Sequence, residues 1–272
     1  MTKNLDEEGF SSVINSYDLF LVDLWGVVHN GIILHKEAVN VLTKILDHKK
    51  DFVLLTNAPV PKKKVELFLE KMGLEEKIRK KVFTSGEAAL SFLKKNYLKA
   101  NFYHVGPPKD FDLFKDLKKN ETKNIKESNY ILCTGLFDEY DKDLSYYENL
   151  LEKYISKKMI CTNPDLIVDR GDDREYCAGS VAMIFEKLGG KVIYFGKPHP
   201  EVYKQSIKIN NKKIIAIGDN LRTDIKGAIS LNYDSLFITN GIHKNEIKND
   251  GIETVLKKYN VTSTYYQSEL KW

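Results

Sequence analysis

The chain is short of cysteine, of long apolar runs and of any excess of charge, and each shortage removes a class of protein. Cys133, Cys161 and Cys177 are the only cysteines in 272 residues. Odd in number and without a CxxC pair, they suit a reducing compartment and offer zinc no nest. No stretch approaches the roughly 18 consecutive apolar residues of a membrane span, and the first apolar run, Leu19 to Val28, is broken by Asp23 and Gly26. The opening MTKNLDEEGF is acidic and amphipathic rather than a secretory leader, so a cytoplasmic location is expected, with no membrane partner. Lysine and arginine total 42 against 38 acids, a formal charge of +4 that gives no chain-wide pull toward nucleic acid. The lysine clusters at Lys62–Lys64, Lys77–Lys81 and Lys115–Lys126 mix with acids and apolar residues and read as solvated faces. No GxxxxGK[ST] loop occurs, which leaves kinase and nucleotide-switch readings without support.

What is present is the material for a large core: 42% of the residues are hydrophobic, well above the range of disordered chains. Short apolar runs alternate with longer helical patterns, the signature of βαβ units, so the fold class is α/β around a mostly parallel, Rossmann-like sheet. Leu19 to Asp23, Phe52 to Thr56, Val192 to Phe195, Ile214 to Ile217 and Ser235 to Ile238 are the expected core strands. Phe102 to Val105, Tyr130 to Cys133 and Met159 to Cys161 form a second set. The division that follows is a core of residues 1–83 and 190–272, with an α/β domain of residues 84–189 inserted over it.

In an open parallel sheet, ligands bind in the crevice beyond the carboxyl ends of the strands. Asp23 ends the first strand and precedes a glycine-containing loop; taken alone it reads more readily as a turn or capping residue than as a ligand-binding one. Thr56 and Asn57 end the second, where an anion cradle and an ordinary helix cap are both open readings. Lys197 follows a strand between Gly196 and Pro198, and Asp219 and Asp224 follow the buried run IIAIG. Together these say more than any one. Two carboxylates within about 4 Å repel by on the order of 4 kcal/mol at an effective dielectric of 20, so Asp23 and Asp219 would need a cation. Magnesium suits oxygen ligands and substrate phosphate, with Lys197 and the Thr56 hydroxyl completing the charge balance.

Four ordered segments, DLWGVVHNG (Asp23 to Gly31), LLTNAP (Leu54 to Pro59), GKPHP (Gly196 to Pro200) and GDNLRTD (Gly218 to Asp224), resemble the haloacid dehalogenase superfamily. The branch is class IIA, whose cap domain lies between the second and third motifs. CTNPD (Cys161 to Asp165) and AGSVAMIFEKLGG (Ala178 to Gly190) are similar to its cap segments. The resemblance spans nearly the whole chain. It implies a magnesium-dependent phosphatase of a small phosphorylated metabolite. Asp23 would attack phosphorus to form an aspartyl-phosphate, and Asp23, the Trp25 carbonyl and Asp219 would hold Mg2+. Thr56, Asn57 and Lys197 would bind the phosphoryl group. Asp224 would orient Lys197 or a metal-bound water, and the cap residues Asn163 and Asp165 would face the leaving group. A second copy joined through the cap is the protein partner considered.

One position departs from the family. Hydrolases of this superfamily usually carry a second aspartate two residues after the nucleophile, as the acid and base of proton transfer; here Trp25 stands there. Indole cannot exchange a proton in that way. General acid–base catalysis is worth about 10² to 10⁴ in rate, so the expectation is a slow enzyme unless another group substitutes. His29, on the same loop, is the replacement considered, with His199 behind it. A slow phosphoryl-transfer enzyme and a phosphoryl-ligand or protein-binding module that no longer turns over are the competing readings. Trp25 favours the latter; the retained Asp23, Lys197, Asp219 and Asp224 argue against it.

Overall fold

Leu19 to Val22 is buried at every position, as a strand covered on both faces must be, and alternate residues serve two different cores. Phe20 and Val22 pack with the helix Lys36–Asp47, through Val41, Leu42 and Ile45; Leu19 and Leu21 pack on the opposite face with Ala88, Ala89 and Leu93 of the helix Ser85–Asn96. The structure, a computed structural model, describes residues 2–170, 173–207 and 212–272.

The strands in chain order are β1 (Lys3–Asn4), β2 (Leu19–Val22), β3 (Asp51–Thr56), β4 (Val82–Thr84), β5 (Phe102–Val105), β6 (Tyr130–Cys133) and β7 (Lys158–Cys161). They continue with β8 (Ile167–Arg170), β9 (Asp173–Tyr176), β10 (Lys191–Tyr194), β11 (Ile214–Gly218), β12 (Asp234–Ile238) and β13 (Tyr265–Gln267). Seven form one parallel sheet in the order β1-β13-β12-β11-β2-β3-β4. Chain order reverses between β11 and β2, and the loops leaving those two strands therefore part around a common crevice. The α/β, mostly parallel core is as expected.

A second parallel sheet runs β10-β7-β6-β5, and β8 with β9 makes a separate antiparallel pair. Here the structure corrects the expected strand list. The run Val192 to Phe195 does not join the core sheet: Val192 and Ile193 stand in register with Met159 and Ile160 as the fourth strand of the second sheet. Its apolar residues complete that sheet's packing with Val181 and Phe185, and the chain returns to the core only at Gly196. The change of sheet thus falls some five residues later than the expected boundary at 189/190. β8 and β9 carry few apolar residues and were not expected as strands.

The second sheet has an apolar cluster of its own on one face, where Val105, Ile131 and Met159 meet Leu151, Val181 and Phe185, but its other face is shared with the core. One apolar cluster runs from Leu19, Leu55 and Ala216 of the seven-stranded sheet to Phe102, Leu132 and Ile160 of the four-stranded one, through Ala88, Leu93, Val202 and Tyr203 of the helices Ser85–Asn96 and Pro200–Ser206. Among the described residues, no helix is long and apolar enough to cross a membrane.

Candidate active site

β2 and β11 deliver two carboxylates to the crevice between them. The Asp23 amide donates to the Ile217 carbonyl at 2.9 Å, extending the ladder one residue beyond β2 and fixing where the side chain starts. Asp219 follows β11 directly, and Asp224 sits in the wide π-type turn Leu221–Ile225, a form common at functional sites. Asn220 caps that turn, accepting from the Arg222 amide at 2.9 Å, while its own amide donates to Asp224 Oδ2 at 3.2 Å. Glycines make the approach possible: a Cβ on Gly26 or Gly241 would lie 2.1 or 2.0 Å from Asp219 Oδ2, and one on Gly218 would lie 2.0 Å from Asp224 Cγ.

Lys197 lies among these acids, 4% exposed. Its Nζ donates to Asp23 Oδ1 at 2.5 Å and to Asp224 Oδ1 at 2.7 Å. Asn57 fixes the lysine's backbone, accepting from the Lys197 amide at 2.7 Å and donating to its carbonyl at 3.1 Å. The same Asn57 amide donates to Asp165 Oδ1 at 3.1 Å, which brings a residue of the inserted segment into the cluster. Gly196, at φ +116°, leaves no room for a Cβ beside Asn57.

The electrostatics are those of a site with too many acids. Burial pushes the Asp23 carboxyl up to about 7, with the Lys197 ammonium opposing and Asp224 adding to the shift. Burial likewise raises Asp165 to about 6, and it holds Asp219 well above the usual range together with repulsion from Asp23 and Asp224. Burial alone would lower Lys197, yet Asp224, Asp23 and Asp165 keep it firmly protonated. One ammonium cannot balance four carboxylates. Ligand oxygens of Asp23, Asp219 and Asp224 lie within 4.8 Å of one another. Such an all-oxygen, buried, over-negative donor set fits a hard divalent cation such as Mg2+.

A cavity of about 710 Å³ opens over the cluster. Asp23, Trp25, Asp165, Lys197 and Asp219 line it, as do Asn30, His35, Asp169, Arg174, Asn240 and Lys244. Of the expected residues, the structure gathers Asp23, Lys197, Asp219, Asp224, Asn57 and Asp165 directly. Thr56 ends β3 next to Asn57, its hydroxyl accepting from the Ala58 amide at 3.2 Å. Asn163 instead turns inward, its side-chain oxygen accepting from the Asp165 amide at 3.0 Å, so it shapes the loop that presents Asp165.

His29 is a correction. Its ring is 2% exposed, held edge-on between Trp25 and Phe68, and Nδ1 accepts from the Gly31 amide at 3.0 Å. Burial lowers it to about 4, so near neutrality it is an uncharged structural side chain rather than a proton donor to the cavity. His199 stacks on Tyr194 at 4.7 Å. His35 is the only histidine among the described residues lining the cavity, and sequence reasoning passed over it. Asn240 and Gly241 were missed too, although the rule that found Thr56 applies equally to the end of β12. Asp169 and Arg174 had no such signal, because they sit on the polar pair β8–β9.

Comparison with known proteins agrees with the geometry. The family model for haloacid dehalogenase-like hydrolases matches residues 20–119, and a second model of HAD-hydrolase-like proteins matches residues 194–264. Dihydroxyacetone phosphatase of Corynebacterium glutamicum is 23% identical over 235 residues, 82% of this chain and 81% of the relative. Ribonucleotide monophosphatase NagD of Escherichia coli is 22% identical over 245 residues, covering 82% and 87%. A haloacid dehalogenase-like hydrolase from Brucella suis 1330 superposes with a TM-score of 0.79 at 29% identity, over 86% of this chain and 90% of that one. With the acids and lysine of the motifs gathered at the strand ends and a second sheet inserted between the second and third of them, the chain belongs to the haloacid dehalogenase-like hydrolases, in class IIA.

Proposed function

We propose that the protein is a phosphatase of small phosphomonoesters, working through an aspartyl-phosphate on Asp23. The observation that carries this reading is the contact of Lys197 Nζ with both Asp23 and Asp224, beside an Asp219 that repulsion and burial hold in want of a cation. Hydrolases of this family generally use Mg2+. In this chain Asp23, the Trp25 carbonyl and Asp219 would hold the ion, with Asp224 acting on Lys197. When bound, it would offset the carboxylates' charge and draw electron density from the phosphoryl oxygens.

Asp23 would attack phosphorus through one carboxylate oxygen as the bond to the leaving oxygen breaks. Water would then cleave the Asp23 acyl-phosphate, releasing inorganic phosphate and restoring the carboxylate. Splitting one displacement into two is the gain of covalent catalysis. Lys197, rigid because Asn57 grips its backbone, neutralises the phosphoryl oxygens; the Thr56 hydroxyl lies at the next strand end to share that task. Asp165 approaches from the inserted segment toward the leaving group.

A slower, phosphoryl-transferring variant of the same chemistry is favoured by one observation: Trp25 occupies the usual acid–base position, and its indole N–H is engaged with a carbonyl. If water is poorly activated, the acyl-phosphate outlives its formation and an alcohol can take the phosphoryl group. The test is a panel of phosphate esters with and without Mg2+, with sugar and alcohol acceptors added, using Asp23→Asn as the control. Magnesium-dependent release of phosphate that vanishes in the control supports the phosphatase. Transfer products exceeding free phosphate support the variant. Parent activity no higher than the control across the panel overturns both.

A further inference from the structure

Trp25 is seated with more care than a residue that merely fills a vacated space. Its ring lies edge-on to His29 at 5.1 Å, and a Cβ on Gly31 would stand 2.6 Å from its Cζ2, so the loop leaves the indole its slot. Its Nε1–H donates to the Asp169 carbonyl, in β8 of the antiparallel pair. The Asp169 carboxylate in turn takes a two-pronged contact from Arg174 on β9, Nε at 2.7 Å and Nη2 at 3.0 Å. Trp25, Asp169 and Arg174 all line the same cavity.

The β8–β9 pair is also the segment of the insertion whose attachment would be easiest to change. The four-stranded sheet shares an apolar cluster with the core, so tilting it as a body would expose Phe102, Leu132 and Ile160. Among the described residues β8 and β9 pair only with each other, and all four residues of β9 are exposed. Elements with few buried apolar contacts open at low free-energy cost.

We propose that Trp25 is a positioning residue, a latch whose indole holds the β8–β9 pair over the phosphate site and thereby sets Arg174 at the cavity wall for the non-reacting end of the substrate. The position that in related enzymes exchanges a proton serves here to close the site. This rests on the phosphatase reading for its catalytic meaning, whereas the latch itself is a property of the free protein. The consequence for specificity is a preference for substrates short enough to fit under the closed pair and polar enough to meet Arg174.

The experiment has two arms that fail separately. In the first, no substrate is present. The chain has two tryptophans, so indole labelling with nitrogen-15 yields two resonances, and Trp25→Phe identifies which belongs to Trp25. The latch predicts slow exchange of that indole proton in the parent. It also predicts backbone exchange in 167–170 and 173–176 about fivefold faster in Trp25→Phe, the loss expected for one net hydrogen bond. Should that variant fold poorly, Arg174→Gln, which keeps the indole contact and frees the Asp169 carboxylate, should quicken β9 while the indole proton stays protected.

In the second arm, Trp25→Phe should raise KM about fivefold while the ratio of kcat on nitrophenyl phosphate to kcat on glycerol phosphate stays as in the parent. Rapid indole exchange in the parent, or β8–β9 protection unchanged in Trp25→Phe, overturns the latch whatever the enzymology shows. A kcat ratio that moves tenfold against glycerol phosphate overturns the positioning role, since it would place Trp25 in proton transfer. Absence of any turnover in the parent counts against the phosphatase reading and leaves the first arm to decide the latch.

Discussion

The two parallel sheets are built alike and end differently. At the carboxyl ends of β2 and β11 stand Asp23 and Asp219, desolvated, mutually repelling and only partly offset by one lysine. At the carboxyl ends of β5 and β6, His104 Nε2 meets Thr134 Oγ1 at 2.8 Å, and Gly106 and Gly135 close the turns over that uncharged pair. Burial lowers His104 to about 4, so the pair stays neutral at ordinary pH. The same βαβ geometry therefore supports either a charged crevice held ready for a ligand or a satisfied structural joint. What distinguishes them is unbalanced charge, which a fold retains at a cost to its stability only where something binds.

Lys197→Met should break this contrast most severely. Removing the ammonium that contacts Asp23 and Asp224 is expected to lower unfolding free energy by about 3 to 5 kcal/mol, and to cost about 10²- to 10³-fold in kcat. Urea denaturation and a phosphate-release assay would check the two. Asp219→Asn should act in opposite directions on stability and activity. In metal-free buffer the variant should be about 1 kcal/mol more stable, because a repelled buried carboxylate is gone. Its gain in Tm on adding Mg2+ should disappear together with activity. Thermal unfolding with and without the ion reads both.

The smallest effect on activity belongs to the joint. His104 has a folded pKa of about 4, below its ordinary 6.5. Its stabilisation is thus complete above pH 6.5 and is lost as pH falls toward 4, where the unfolded chain takes up a proton that the folded chain refuses. The sum is about 3 kcal/mol over that window. His104→Asn should flatten this acid limb of the stability curve while changing activity at neutral pH by less than about twofold.

These effects also mark what a sequence can disclose. Asp23, Thr56 and Asp219 are legible because each follows an apolar strand, and the parallel-sheet rule assigns strand ends to one crevice. Lys197 is reached despite a misassigned strand: Val192 to Tyr194 pairs with β7, and Gly196 then carries the lysine back to the core. His29 misleads because shared loop position tells how near two residues are along the chain, not which way their side chains face. In the fold it packs inward while His35, six residues on, faces the cavity. Asp169 and Arg174 escape because β8 and β9 have no apolar period, their stabilising partners being an indole and each other.

The central claim is that Asp23 is the group that takes the phosphoryl from substrate. The most direct measurement is mass spectrometry of the Asp23 peptide after acid quenching of a reaction with a phosphomonoester and Mg2+. The account predicts phosphate on Asp23, accumulating because Trp25 replaces the usual base, and none on the same peptide of Asp23→Asn. Steady turnover with phosphate trapped on another residue, or turnover undiminished in Asp23→Asn, would contradict it.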